Sequence, residues 1–264
     1  MKIVWKTAAV ASLLLASCGG DSNAALSKNF NYGAAQAPTT AEQSAATSAQ
    51  GTVSSTSTFG SSPNASTASS IISIADDLSA SAFGSSALGA AGLPQAEPHL
   101  RRALSTYVTD ACATVTTTKV TFTNCSDSDS GYTFTLNGSV EVINGNEIKW
   151  DINGAFSGTN QGVSINLALH QGGNLKVTST TVSGNSTSEI RGNVSAQGQS
   201  ASFGLDTAAI VDLTYNSTCV TAGTIEVKRV WSEKPNGASG PDFADLAVKL
   251  SWTGCNTVQV QHSM

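Results

Sequence analysis

Charge is scarce in this chain. Only 12 % of its 264 residues are Asp, Glu, Lys or Arg, about half the share in an ordinary soluble domain. Thirteen basic residues against eighteen acidic ones, a net charge of −5, exclude an extended contact with nucleic-acid phosphates, which needs clustered Lys and Arg. Long hydrophobic runs are also missing. The most continuous, Thr7 to Leu15, is well short of the roughly twenty residues that cross a bilayer as a helix. Histidine occurs three times, as His99, His170 and His262, and no two cysteines stand in a Cys-x-x-Cys pair, so a Cys/His zinc site is not expected. The Gly-x-Ser-x-Gly, His-Glu-x-x-His and Gly-x-x-x-x-Gly-Lys signatures do not occur, and with them goes any ready assignment to the common hydrolases or phosphate binders. Asp127-Ser128-Asp129-Ser130-Gly131 opens like a calcium loop, but Gly138 occupies the twelfth position, where a bidentate Glu is required. It reads as an acidic turn between strands. No cofactor, metal or catalytic residue is expected, and the chain is not read as an enzyme.

What is present begins with a leader. Lys2 and Lys6 precede the apolar run, and small residues follow it, which is the layout of a secretory signal. The tetrapeptide Leu15-Ala16-Ser17-Cys18 resembles the lipobox of bacterial lipoproteins. The resemblance implies cleavage after residue 17, a diacylglyceryl group on Cys18 and anchorage by acyl chains, each buried methylene contributing about 0.8 kcal/mol. Gly19 follows the cysteine where Asp would imply retention in the inner membrane, so the expected location is the outer membrane, facing the periplasm or the surface. Loss of Lys2 and Lys6 with the leader leaves eleven basic against eighteen acidic residues, a net charge of −7.

Residues 18–68 are built of Ser, Thr, Ala, Gln, Gly and Asn with little charge, a composition that buries too little apolar surface to offset its ordering entropy. A disordered tether with an r.m.s. span of roughly 40 Å is expected. Residues 69–107 read as a helical segment packing on a sheet. Ile71, Ile74 or Ala75, Leu78 and Ala82 recur at helical spacing, with Asp76 and Asp77 on the opposite side, and a second short helix is expected over His99–Tyr107 beyond Pro94 and Pro98.

Residues 108–264 alternate Thr, Val, Ile and aromatics between Gly- and Asn-rich punctuation, which predicts a mainly β domain: an antiparallel meander of about ten strands, as a sandwich, a half-barrel or an open barrel. Registers can be predicted. Tyr132, Phe134, Leu136, Val140 and Val142 face Ile148, Trp150, Ile152 and Phe156 only if the loop is the three residues Asn144-Gly145-Asn146, which also sets Glu141 opposite Lys149. The same reasoning pairs Phe156 with Val163, Leu169 with Leu175, Val194 with Phe203, Ile225 with Leu250, and Val227 with Val248, through polar loops at 157–162, 170–174 and 197–200.

With Cys18 committed to lipid, Cys112, Cys125, Cys219 and Cys255 remain for two disulfides in an oxidising compartment. The β register favours sequential pairing, Cys219 with Cys255 at the open end of a hairpin. Cys112 and Cys125 can join only if the chain turns near Thr118, since a straight strand would hold its ends about 30 Å apart; otherwise the pairing is crossed. Trp150, Trp231 and Trp252 fall on apolar strand faces. They pack a core, or else line a groove for acyl chains or sugar rings.

The whole arrangement, with Phe122-Thr123-Asn124-Cys125 and Leu136-Asn137-Gly138-Ser139, resembles Gram-negative envelope lipoproteins of the all-β type. No activity comes with that resemblance. The expected role is structural or binding at the outer membrane, with membrane attachment through Cys18 and a lipid, glycan or envelope-protein partner. The alternatives are a half-barrel carrier of an apolar ligand and a carbohydrate-binding sandwich.

Overall fold

The computed structural model describes residues 23–84, 112–235, 243–255 and 257–264. The leader, Cys18 and the expected helix at His99–Tyr107 lie outside the described residues. Ten strands form a single antiparallel sheet in sequence order: β1 Ala113–Val115, β2 Lys119–Asp129, β3 Tyr132–Ile143, β4 Glu147–Asn160, β5 Val163–Val177, β6 Thr181–Ala196, β7 Gln199–Tyr215, β8 Val220–Glu233, β9 Leu246–Gly254 and β10 Thr257–His262. The fold is therefore mainly β, a ten-stranded antiparallel meander in an open sheet, with short helices N-terminal to it.

Alternation produces the sheet's two faces. In β3 and β4 the buried residues are the predicted even-numbered set, and Glu141 stands opposite Lys149. The Ile225–Leu250 and Val227–Val248 pairs also form as predicted. Three other registers differ. Phe156 faces Leu167, while Val163 pairs with Asn160 across a tight Gln161-Gly162 turn. Val194 faces Ala201, two residues from the predicted partner, because the β6–β7 connection is Gln197-Gly198 alone. Both turns carry positive φ at both central residues, the geometry that matches strand twist in two-residue hairpins. No hairpin forms at 170–174: β5 runs straight through, with Gly172 and Gly173 paired to β4 on one side and β6 on the other.

The chain does turn at Thr116–Lys119 without Gly, Pro or Asn. The Thr116 hydroxyl accepts from the Lys119 N–H at 3.0 Å and closes the turn, a side-chain substitute for the usual turn residues. β1 folds back on β2, and Cys112 and Cys125 come to a Cα–Cα distance of 5.2 Å in a disulfide. Cys219 and Cys255, at 5.5 Å, form the second.

Residues 23–68 are not a tether. The helix α1 (Ala24–Ser27) lies on the outer face of the sheet, its Ala25 buried against Ala208 and Val230. The chain then runs along the β10 edge, where Gln36 and Val260 exchange both backbone hydrogen bonds at 3.0 Å and Gly33 donates to His262. This covers an edge that would otherwise be free to pair. On the other face lie α2 (Thr40–Ser54), α3 (Thr56–Phe59), α4 (Ala65–Ile72) and α5 (Ile74–Phe83). The helix α2 opens with a capping box between Thr39 and Glu42 and buries Ala46, Ala49 and Val53, a narrow stripe of small side chains. Ser73 divides the expected helical patch into α4 and α5, which bury Ile71, Ile72, Ile74 and Leu78 in one continuous core with the sheet.

Candidate functional site

The three tryptophans of the β domain are core residues. Trp150, Trp231 and Trp252 are 2 %, 6 % and 4 % exposed and belong to the central cluster. Trp150 lies over Gly173, where a Cβ would come within 2.2 Å of its ring. Trp231 packs edge-on to Phe203 and against Phe243. Trp252 borders a hollow of about 250 Å³ beneath α2. They share no groove among the described residues; the helices cover the middle of that face and leave hollows of about 170 and 600 Å³ toward one end, one lined by Val53, Val182 and Leu213, the other by Val142, Ile148 and Val177.

The titratable side chains gather on the opposite, outer face. Strand register sets Asp151 of β4, His170 of β5, and Glu189 and Arg191 of β6 in neighbouring rows, with Asp206 of β7 beyond them. His170 lies mid-strand, not at a strand end. Its Nε2 is 3.1 Å from Asp151 Oδ1, and its Nδ1 is 4.0 Å from Glu189 Oε1. Glu189 first, and Asp151 with it, raise the imidazole above its ordinary pKa against the opposing effect of burial. Contact with His170 lowers Glu189, helped by Arg191. Arg191 also pairs with Asp206, a carboxylate only 1 % exposed.

That carboxylate holds the N-terminal segment. Asp206 Oδ2 accepts from the Ala24 N–H at 3.0 Å, Asn23 donates through Nδ2 to the Ser188 carbonyl at 3.4 Å, and the Asn23 side chain caps α1 by accepting from Leu26 N. Further along, Lys228, 5 % exposed, donates to the Lys28 carbonyl at 2.9 Å, and Tyr32 donates to Glu226 Oε1 at 2.5 Å. Burial first, then Glu226, pushes the Tyr32 hydroxyl far up.

Beside Asn23 and Leu26 lies a polar hollow of about 450 Å³, walled by Lys149, Asp151, His170, Asn174, Asn185 and Thr187. It exists because Gly172 leaves a missing tooth in the outer face, Thr187 donating to the Gly172 carbonyl at 3.1 Å across the gap. Its walls offer amide, hydroxyl, imidazole and ammonium groups, suited to hydrogen-bonding a polar molecule. Among the described residues no group of three or more His, Cys, Asp or Glu is placed to hold a metal. His262 sits apart, its Nε2 2.8 Å from Glu42 at the start of α2.

Sequence reasoning missed Asn23, Glu189, Arg191 and Asp206. One signal was available: Asp206 interrupts the apolar stretch Phe203–Val211, and a charge inside such a stretch needs a partner.

By architecture the molecule is thus an open antiparallel meander with α2 to α5 on one face and α1 on the other. No family model, curated protein or solved structure matches the chain.

Proposed function

We propose that this is a lipid-anchored cell-envelope protein, acylated on Cys18, whose β domain serves a non-catalytic structural or binding role at the outer membrane. The observation that carries the reading is the leader: basic Lys2 and Lys6, the apolar run, then Leu15-Ala16-Ser17-Cys18. Two cysteine pairs at disulfide distance suit an oxidising compartment. Within this reading, the burial of Trp150, Trp231 and Trp252 in the core favours a ligand met at the surface over one carried in a tryptophan-lined groove. The polar hollow beside His170 favours a hydrogen-bonding ligand such as a glycan over an acyl chain. Metabolic labelling of the expressed chain with a fatty-acid analogue tests the anchor. The wild type incorporates label and Cys18→Ser does not; label retained in Cys18→Ser would overturn the reading.

A further inference from the structure

The attachment of Asn23 fixes how the body must sit relative to its anchor. Asn23 is 4 % exposed and bonds the carbonyl of Ser188, which lies at the middle of β6 (Thr181–Ala196), the sixth strand of ten. Only five peptide units separate Asn23 from Cys18, and fully extended they reach at most about 18 Å. Half the length of β6 is roughly 26 Å at about 3.3 Å per residue, and the nearer sheet edge is four strands away, about 19 Å at 4.8 Å per strand. A body standing on either end of its strands would hold Asn23 farther from the bilayer than the leash allows, and one standing on an edge would need the leash drawn fully straight. A body lying on its helices would add the sheet and a helix layer, the latter about 10 Å across.

Resting on the assignment of the lipid to Cys18, we infer that the outer face of the sheet, the face carrying Asn23, His170 and the polar hollow, lies against the headgroup surface of the bilayer. Acids and bases interleave on this face, as Lys149 beside Asp151 and Glu189 beside Arg191, so it is not a basic patch that would seek anionic lipid. The leash, and not charge, holds the face down. The hollow therefore opens toward headgroups, and its ligand is met at the membrane surface.

The test uses the full acylated protein in phosphatidylethanolamine/phosphatidylglycerol vesicles carrying a headgroup-labelled energy acceptor. One donor dye is placed on Asn153→Cys, exposed on the outer face, and in a separate protein on Ser48→Cys, exposed on α2. Transfer is expected to be clearly stronger from position 153 and insensitive to salt. Inserting about twenty Gly/Ser residues before Asn23, with an r.m.s. span of roughly 25 Å, should abolish the difference. Equal or reversed transfer in protein that is acylated and vesicle-bound would overturn the apposition alone. Protein that carries no acyl group and does not sediment with vesicles would overturn the anchor reading and the apposition with it.

Discussion

Arg191 and Asp206 show how a single pair can hold two layers together. Asp206 is buried between strand and N-terminal segment, bound to Arg191 and to the Ala24 N–H. Arg191→Met leaves a buried carboxylate without its counter-charge. A fully buried pair broken this way costs about 3–5 kcal/mol; because Arg191 is 40 % exposed, a loss of about 2 kcal/mol is expected, measured as a lower urea midpoint. His170 gives the residue-scale pH dependence. Its pKa is raised in the folded state, so its contribution is complete below about pH 6.5 and fades as pH rises through the folded value. Glu189 is lowered, and its contribution holds above the ordinary carboxylate range and fades as pH falls through the folded value. Stability from this pair is thus greatest in mildly acidic solution. Urea midpoints of His170→Gln should lose the decline that the wild type shows above pH 6.5. Gly173 is a third local constraint: Gly173→Ala drives a Cβ into the Trp150 ring, and overpacking of this kind costs about 1–3 kcal/mol.

At the scale of elements, the N-terminal segment decides the exposure of β10. Gln36 makes two backbone bonds with Val260, and proline there removes the donor. Gln36→Pro is expected to raise amide hydrogen exchange over Val258–Gln261 while leaving β5 and β6 protected; unchanged exchange would show that the edge is secured otherwise. This segment is also where the sequence misled. Ala46, Ala49 and Val53 form too thin a stripe to signal a helix beside so many Ser and Thr residues, and small side chains bury surface only when a neighbouring face is already in place. The β3–β4 and β8–β9 registers were legible because large apolar sets and an Asn-Gly turn or matched Ile/Val rows left one solution. The Gln161-Gly162 and Gln197-Gly198 turns were not, since Gln is not among the residues that favour positive φ, and their flanking polar residues are outer-face strand positions that look like loop. In β7, Ala208 and Ala209 are both fully buried because α1 covers one face and α5 the other, and two-sided burial erases alternation. The hollow could not be foreseen either: it depends on the β5 register and on Asn23, which composition had assigned to a tether.

For the molecule as a whole, two disulfides close the sheet near its ends. In the chain-entropy model the Cys219–Cys255 bond, with a separation of 36 residues, stabilises by about 4 kcal/mol, and Cys112–Cys125, with a separation of 13, by about 3 kcal/mol. The double Cys→Ala variant of the first pair should therefore lose the more in urea unfolding. The chain is better described as a sheet clasped on both faces by its own N-terminal third than as a domain on a string. On the proposed reading, a lipid on Cys18, five residues from a clasped Asn23, would fix orientation as well as location. The most direct measurement is the intact mass of the protein extracted from a bacterial envelope, followed by fragmentation of its N-terminal peptide. The account predicts a chain beginning at Cys18 and carrying acyl groups on that residue. A chain that retains residues 1–17, or begins elsewhere with an unmodified N-terminus, would contradict it.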